Sequence, residues 1–288
     1  MTAVTIAIRV LLPVLAATLA SSAQAAPASA ANKVVLAPHR AIYDLKLAKI
    51  RGSRAIESVR GRILYDFSGN ACEGYALQFR QVSELDSGEG KAALSDLRST
   101  TWEDAAATSF RFNSQNLLNE QQTEAVDGHA ERKGDVVDVS LSKPKQKRFT
   151  EPVNAVFPTE HMRRIIAAAR DDKSILEFPV YDGSESGEKL YNTLTVIGRA
   201  IEPGEKPVDD ASANVPALAN LRRWPVTISY FEQESEKQEQ SGEQTPVYAI
   251  GFELYENGIS RALTLDYPDF TISGKLTSLE MKKEIPCR

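Results

Sequence analysis

Cysteine is nearly absent from this 288-residue chain: Cys72 and Cys287 are the only two. No C-x-x-C occurs, so thiol redox catalysis has no motif to rest on, and the cysteine density of small disulfide scaffolds is missing. Histidine is equally sparse. His39, His129 and His161 stand far apart, and none falls in an H-E-x-x-H or paired-ligand spacing, so no metal centre is implied. No glycine-rich phosphate loop leads into a helix, and no cofactor is implied. Positive charge is in deficit, with 34 Lys and Arg against 39 Asp and Glu and a net charge of -5, which argues against nucleic acid as a partner. The exception is the basic run Lys143-Pro144-Lys145-Gln146-Lys147-Arg148, which reads as a solvated turn, with an anionic contact as the alternative.

Long apolar runs are missing too. Val10 to Ala20 is the longest, and it falls short of the roughly 20 residues that a membrane-spanning helix needs. Preceded by Arg9 and followed by small residues and Ala23-Gln24-Ala25, it reads as a signal peptide over residues 1–25 with an A-x-A cleavage site. The mature chain then begins near Ala26, and 26–288 forms one domain exported to the periplasm. No cysteine follows the small-residue cluster, so a lipid anchor at the new terminus has no acceptor. In an oxidising compartment Cys72 and Cys287 are expected to bridge, the alternative being two unpaired thiols.

What the chain has in abundance is alternation at period two. Tyr43, Leu45 and Leu47 alternate with polar residues, as do Tyr75, Leu77 and Phe79, Val137 to Leu141, Val226, Ile228 and Tyr230, Tyr248 to Leu254, and Leu263, Leu265 and Tyr267. These are half-buried strands, about a dozen in all. Turn residues at Ser68-Gly69-Asn70, Asp86-Ser87-Gly88, Asp127-Gly128, Asp182-Gly183-Ser184, Glu256-Asn257-Gly258 and Ser273-Gly274 divide them into an antiparallel meander. One segment breaks the pattern. Met162, Ile165, Ile166 and Ala169 recur at helical spacing, with Thr159 placed as the cap, which predicts a helix from about Thr159 to Ala169 covering the concave side of the sheet. A weaker helical stretch is placed between Ala211 and Arg223, and the polar segment Gln233 to Gln244 is read as a hairpin tip.

Catalytic constellations are hard to assemble. Gly183-Ser184-Glu185-Ser186-Gly187 lacks the G-x-S-x-G register of a nucleophile elbow, and Asp182, Ser184 and Ser186 fail as a calcium loop because Thr193 stands where the bidentate Glu is needed. His39, at the opening of the first strand, and His161, in the first helical turn, are read as structural. No residue is assigned as catalytic, and the ligand-binding residues stay unassigned.

Several short segments carry a resemblance. Leu36-Ala37-Pro38-His39-Arg40-Ala41-Ile42-Tyr43, Cys72-Glu73-Gly74-Tyr75, Phe157-Pro158-Thr159-Glu160-His161, Tyr181-Asp182-Gly183-Ser184 and Trp224-Pro225-Val226, in this order behind a signal peptide, resemble the EipB family of periplasmic cell-envelope integrity proteins. The resemblance implies a mainly β, spiral or cup-shaped antiparallel sheet like those of lipoprotein carriers, a disulfide joining the two cysteines, and a role in keeping the envelope intact. It brings no catalytic residues. Either the helix fills the cup, or an apolar hollow remains. The expected function is non-catalytic binding of a periplasmic envelope protein or a lipid-like ligand, with a hydrolase of envelope components and a lipid or lipoprotein shuttle as rivals.

Overall fold

Period-two patterning over most of the chain becomes one sheet. In the computed structural model, residues 34–51, 56–88, 92–206, 209–232 and 244–287 are described. The segment expected to be a signal peptide, its expected cleavage site and residues 233–243 of the expected polar tip lie outside them. Among the described residues fourteen strands form a single antiparallel sheet. The chain first lays down β1 (His39–Ile50), β2 (Ser58–Asn70), β3 (Gly74–Asp86), β4 (Ala92–Asp104), β5 (Ser109–Leu118), β6 (Gln121–Lys133), β7 (Val136–Lys143) and β8 (Lys147–Pro152) as successive neighbours. After helix α1 (Pro158–Arg170) come β9 (Ile175–Val180), β10 (Tyr191–Ile197), β11 (Arg223–Glu232), β12 (Tyr248–Tyr255), β13 (Ser260–Asp266) and β14 (Phe270–Met281). This second meander begins at the far edge and runs inward until β14 pairs with β1, Leu276 opposite Tyr43 and Gly274 opposite Leu45.

The sheet is open, with β8 and β9 as its edges. Among the described residues a short backbone link crosses between them: Val156, just beyond β8, pairs in parallel with Val180 of β9, its N–H donating to Pro179 at 2.8 Å. Strand twist makes so many strands curl, and the inward side chains set the concave face. Ala41, Tyr43 and Leu45, at alternate positions of β1, and Val59, Ile63 and Phe67, at every fourth position of β2 and so on one face, are all buried. The basic run 143–148 is exposed and spans the end of β7, the connection 144–146 and the start of β8.

Two glycine turn signals are misplaced. Asp127-Gly128 lies inside β6, where the pairing to β7 shifts by a residue, and Ser273-Gly274 lies inside β14. The true turns fall at Gly134, with φ +58°, and between Asp266 and Phe270. Local turn propensity lost to packing: a Cβ on Gly128 would stand 2.7 Å from the Phe112 ring and 2.8 Å from Leu141, so that position is glycine because two inward side chains meet over it.

Helix α1 sits inside the cup. Ile165 and Ile166 have no exposure, Met162 is half-buried, and His161, Arg163 and Ala167 to Ala169 are buried as well, so more than one stripe is covered. Phe67, Tyr75, Trp224, Val226, Ile228 and Leu254 enclose it. The predicted cap is wrong: Phe157 holds the N-cap position, Pro158 begins the helix, and Thr159 gives no capping side-chain bond. The stretch 211–223 shrinks to a 3-10 turn, Ala211–Ala213, and one short helix α2 (Pro216–Ala219). Pro216 starts that second turn afresh and Arg223 already belongs to β11, so no long helix can form.

Cys72 and Cys287 are joined by a disulfide across 215 positions, with Cα atoms 5.7 Å apart. The bridge ties the β2–β3 turn to the tail beyond β14. Two expected outcomes follow from this packing. Ile165→Ala lowers unfolding stability by about 2–5 kcal/mol in denaturant titration, the loss for a fully buried Ile. Cys72→Ser lowers it by about 2–5 kcal/mol, because a ring this large constrains the unfolded chain; an unchanged midpoint in non-reducing buffer would contradict the bridge.

Candidate functional site

Space is left beside the helix. A cavity of about 370 Å³ lies between α1, the strands β1 to β4 and the strands β11 and β12, within the size range of small-molecule sites. Its walls are mostly apolar, with Phe67, Leu77, Phe79, Met162, Ile228 and Ile250 prominent. The helix therefore fills part of the cup and leaves a hollow along one face. Period two explains the walls: Phe67 opposes Leu77, and Ile228 opposes Ile250, at inward positions of paired strands.

A few polar groups interrupt this lining. His39 stacks on Tyr65 with ring centres 5.5 Å apart, and its Nδ1 donates to the Ala37 carbonyl at 2.7 Å. His161 comes from the first turn of α1, its Nε2 lying 3.5 Å from the Thr195 hydroxyl. Burial holds both imidazoles neutral, pushing His161 down to about 4 with help from the Arg164 charge, and His39 down as well. The third polar group is the Asp182 carboxylate, which accepts the Ser184 N–H at 2.9 Å. Burial raises its pKa, and the nearby Glu185 charge adds to that. Tyr230 and Tyr248, stacked at 4.5 Å, complete the polar side.

Asp182 reaches the interior because the β9–β10 connection folds inward. Gly183 has φ +66°, and a Cβ there would stand 2.4 Å from the Phe112 ring of β5. Only glycine combines that conformation with that approach. Tyr181, fully buried, donates its hydroxyl to the Gly187 carbonyl at 2.6 Å and locks the loop.

One further carboxylate positions the site without lining it. Glu103 of β4, 1% exposed, accepts the Thr159 and Glu160 N–H groups of α1, each at 2.7 Å. These are helix N-terminal donors with no partner inside the helix, and a carboxylate there also meets the positive end of the helix dipole. Arg163 stands 3.9 Å from Glu103 and donates to the Ala105 carbonyl at 2.9 Å, while its buried Nε has no hydrogen-bond partner. Burial pushes Glu103 up to about 7, against the pull of the Thr159 N–H and the Arg163 charge.

The histidines and serines that the sequence offers are only partly brought together. His39 and His161, 122 positions apart, share the cavity, whereas His129 is exposed on β6. Ser184 and Ser186 sit in the inward loop, and among the described residues no serine hydroxyl bonds to a histidine. Thr195, which faces His161, is completely buried and closed to a substrate. Among the described residues no three His, Cys, Asp or Glu side chains converge on a metal-sized site. Sequence reasoning missed Glu103 entirely. It carried Asp182 as a turn residue and a rejected calcium-loop candidate, and Tyr230 and Tyr248 only as strand positions, although their period-two register already set both tyrosines facing inward.

Comparison with known proteins bears on the whole chain. The family model described as EipB-like matches residues 30–283. The cell envelope integrity protein EipB of Brucella abortus (strain 2308) is 37% identical over 257 residues, covering 89% of this chain and 88% of that protein. A crystal structure from Brucella abortus, described as a β-barrel-like protein of the domain of unknown function DUF1849, superposes with a TM-score of 0.78 at 34% identity. It covers 87% of this chain and all of the solved one.

Glu103 makes the helix anchor sensitive to pH. Its folded-state pKa of about 7 exceeds the ordinary 4.5, so between those values the folded chain holds the proton more tightly than the unfolded one. Its contribution to stability therefore falls as pH rises from about 4.5 through about 7. Glu103→Gln removes that titration and keeps one acceptor oxygen. Urea titrations of both proteins across this window are expected to show the advantage of the native side chain shrinking with rising pH; a constant difference would contradict the assignment.

Proposed function

The chain belongs to the EipB-like family, and on that premise we propose that it is a non-catalytic factor of the periplasm that supports envelope integrity by holding an amphipathic, lipid-like molecule inside its cup. The cavity beside α1 is the observation that carries this reading. Apolar walls from β2, β3, β9, β11, β12 and one helix face would take a hydrocarbon segment, and a small polar end would orient it. The sequence supports the compartment through its signal peptide, and the Brucella relative supports the envelope role through its name. No helix among the described residues is long and apolar enough to cross a membrane. The cavity favours a small ligand over a protein partner, because it lies between the helix and the sheet.

The neutral fluorescent probe N-phenylnaphthylamine tests this. Its emission is expected to rise saturably on titration with the mature protein. Leu77→Trp, which puts a larger ring into the hollow, is expected to weaken binding about tenfold, equivalent to about 1.4 kcal/mol, with a melting temperature that reports intact folding. Absence of saturable binding defeats the cavity reading. Turnover of ester or cell-wall substrates that His161→Ala abolishes would replace it with a hydrolase.

A further inference from the structure

The polar end of the cavity has a chemistry of its own. Asp182 is the one carboxylate that lines the hollow, and among the described residues it forms no ion pair. Its contact is the Asx turn to the Ser184 N–H. The nearest lysine along the loop, Lys189, is already engaged by Glu185 and Glu232. The imidazoles on the cavity wall, His39 and His161, are held neutral by burial and bring no positive charge. Asp182 is half-buried without a cation, and its desolvation raises its pKa.

Two tyrosine rings line the cavity together with this carboxylate, and a third packs against them. Tyr230 and Tyr248 stack with planes 16° apart, and Tyr191 meets both edge-on, at 84° and 72°. Asp182, Tyr230 and Tyr248 line the same cavity, and the negative charge of Asp182 contributes to raising the pKa of these two phenols and of Tyr191. Tyr191 donates its hydroxyl to Glu185 at 2.6 Å, whereas the hydroxyls of Tyr230 and Tyr248 make no hydrogen bond among the described residues. Phenol rings beside a carboxylate form the setting in which proteins recognise ammonium groups, since ring faces and carboxylate attract the same charge.

We propose that this cavity selects amphiphiles with a cationic head, an alkylamine or quaternary ammonium group held against Asp182 and the faces of Tyr230 and Tyr248, with the hydrocarbon tail along Phe67, Leu77 and Met162. The proposal rests on the ligand-holding reading above and adds the sign of the head group. A fatty-acid carboxylate would set like charge against Asp182 with no basic residue to offset it. A neutral alcohol could hydrogen-bond there but would leave the carboxylate without its counter-charge.

The test uses octyltrimethylammonium, 1-octanol and octanoate, each below its micellar concentration, in direct calorimetric titration of the mature protein and in competition with N-phenylnaphthylamine. Octyltrimethylammonium is expected to bind about tenfold more tightly than octanol, with octanoate the weakest. Asp182→Asn keeps the acceptor oxygen for the Ser184 N–H and removes the charge, so the ammonium preference over octanol is expected to collapse, with the melting temperature reporting intact folding. Tyr248→Leu should cost the ammonium ligand several-fold in affinity and affect octanol little. A preference that survives Asp182→Asn, or octanoate as the tightest ligand, overturns the head-group assignment alone. If neither the probe nor any of the three amphiphiles binds, both the cavity reading and this one fall.

Discussion

The carboxylate of Glu103 holds the start of the only long helix among the described residues inside the sheet, and the interior is organised around that contact. A helix placed in a β-cup brings its first N–H groups with it, far from water. Glu103 meets two of them from a neighbouring strand, at 2.7 Å each. With that end satisfied, Ile165 and Ile166 can be buried completely and Met162 can form one wall of the cavity. The same contact explains why the helix carries no side-chain cap of its own.

A second constraint is the closure of the chain on itself through β1 and β14. The two meanders meet there, which leaves β8 and β9 as the free edges and lets α1 cross between them. The parallel pair Val156 and Val180 covers part of that gap. Ion pairs deeper in the sheet hold the connection before β11: Arg261 bonds Asp210 at 3.0 Å and also Glu253, while Arg223 reaches Glu253 at 2.8 Å. Breaking one partner of such a buried set would leave a charge uncompensated.

The two sides of the cavity differ in how they treat charge. On the helix side burial keeps His161 neutral, and on the loop side it leaves Asp182 without a cation. A hollow with apolar walls and one uncompensated acid is suited to orient an amphiphile.

Alternation at period two determined the strands, and therefore a mainly β protein with a wet face and an apolar one, because side chains on a strand point to opposite sides whatever the rest of the chain does. Helical spacing at Met162, Ile165, Ile166 and Ala169 determined α1 for the same local reason. The segments that resemble the EipB family were also legible as written, and the relatives bear them out over most of the chain. The tertiary structure decided the rest. Gly128 and Gly274 read as turns, yet inward side chains from neighbouring strands claim those positions, and local propensity carries no information about them. Thr159 reads as a cap, yet the cap comes from Glu103, 56 residues away. The inward fold of the β9–β10 loop, which sets Asp182 beside Tyr230 and Tyr248, depends on Gly183 meeting the Phe112 ring across the cup. Such contacts join residues far apart in the chain, and their energies exist only once the sheet has curled.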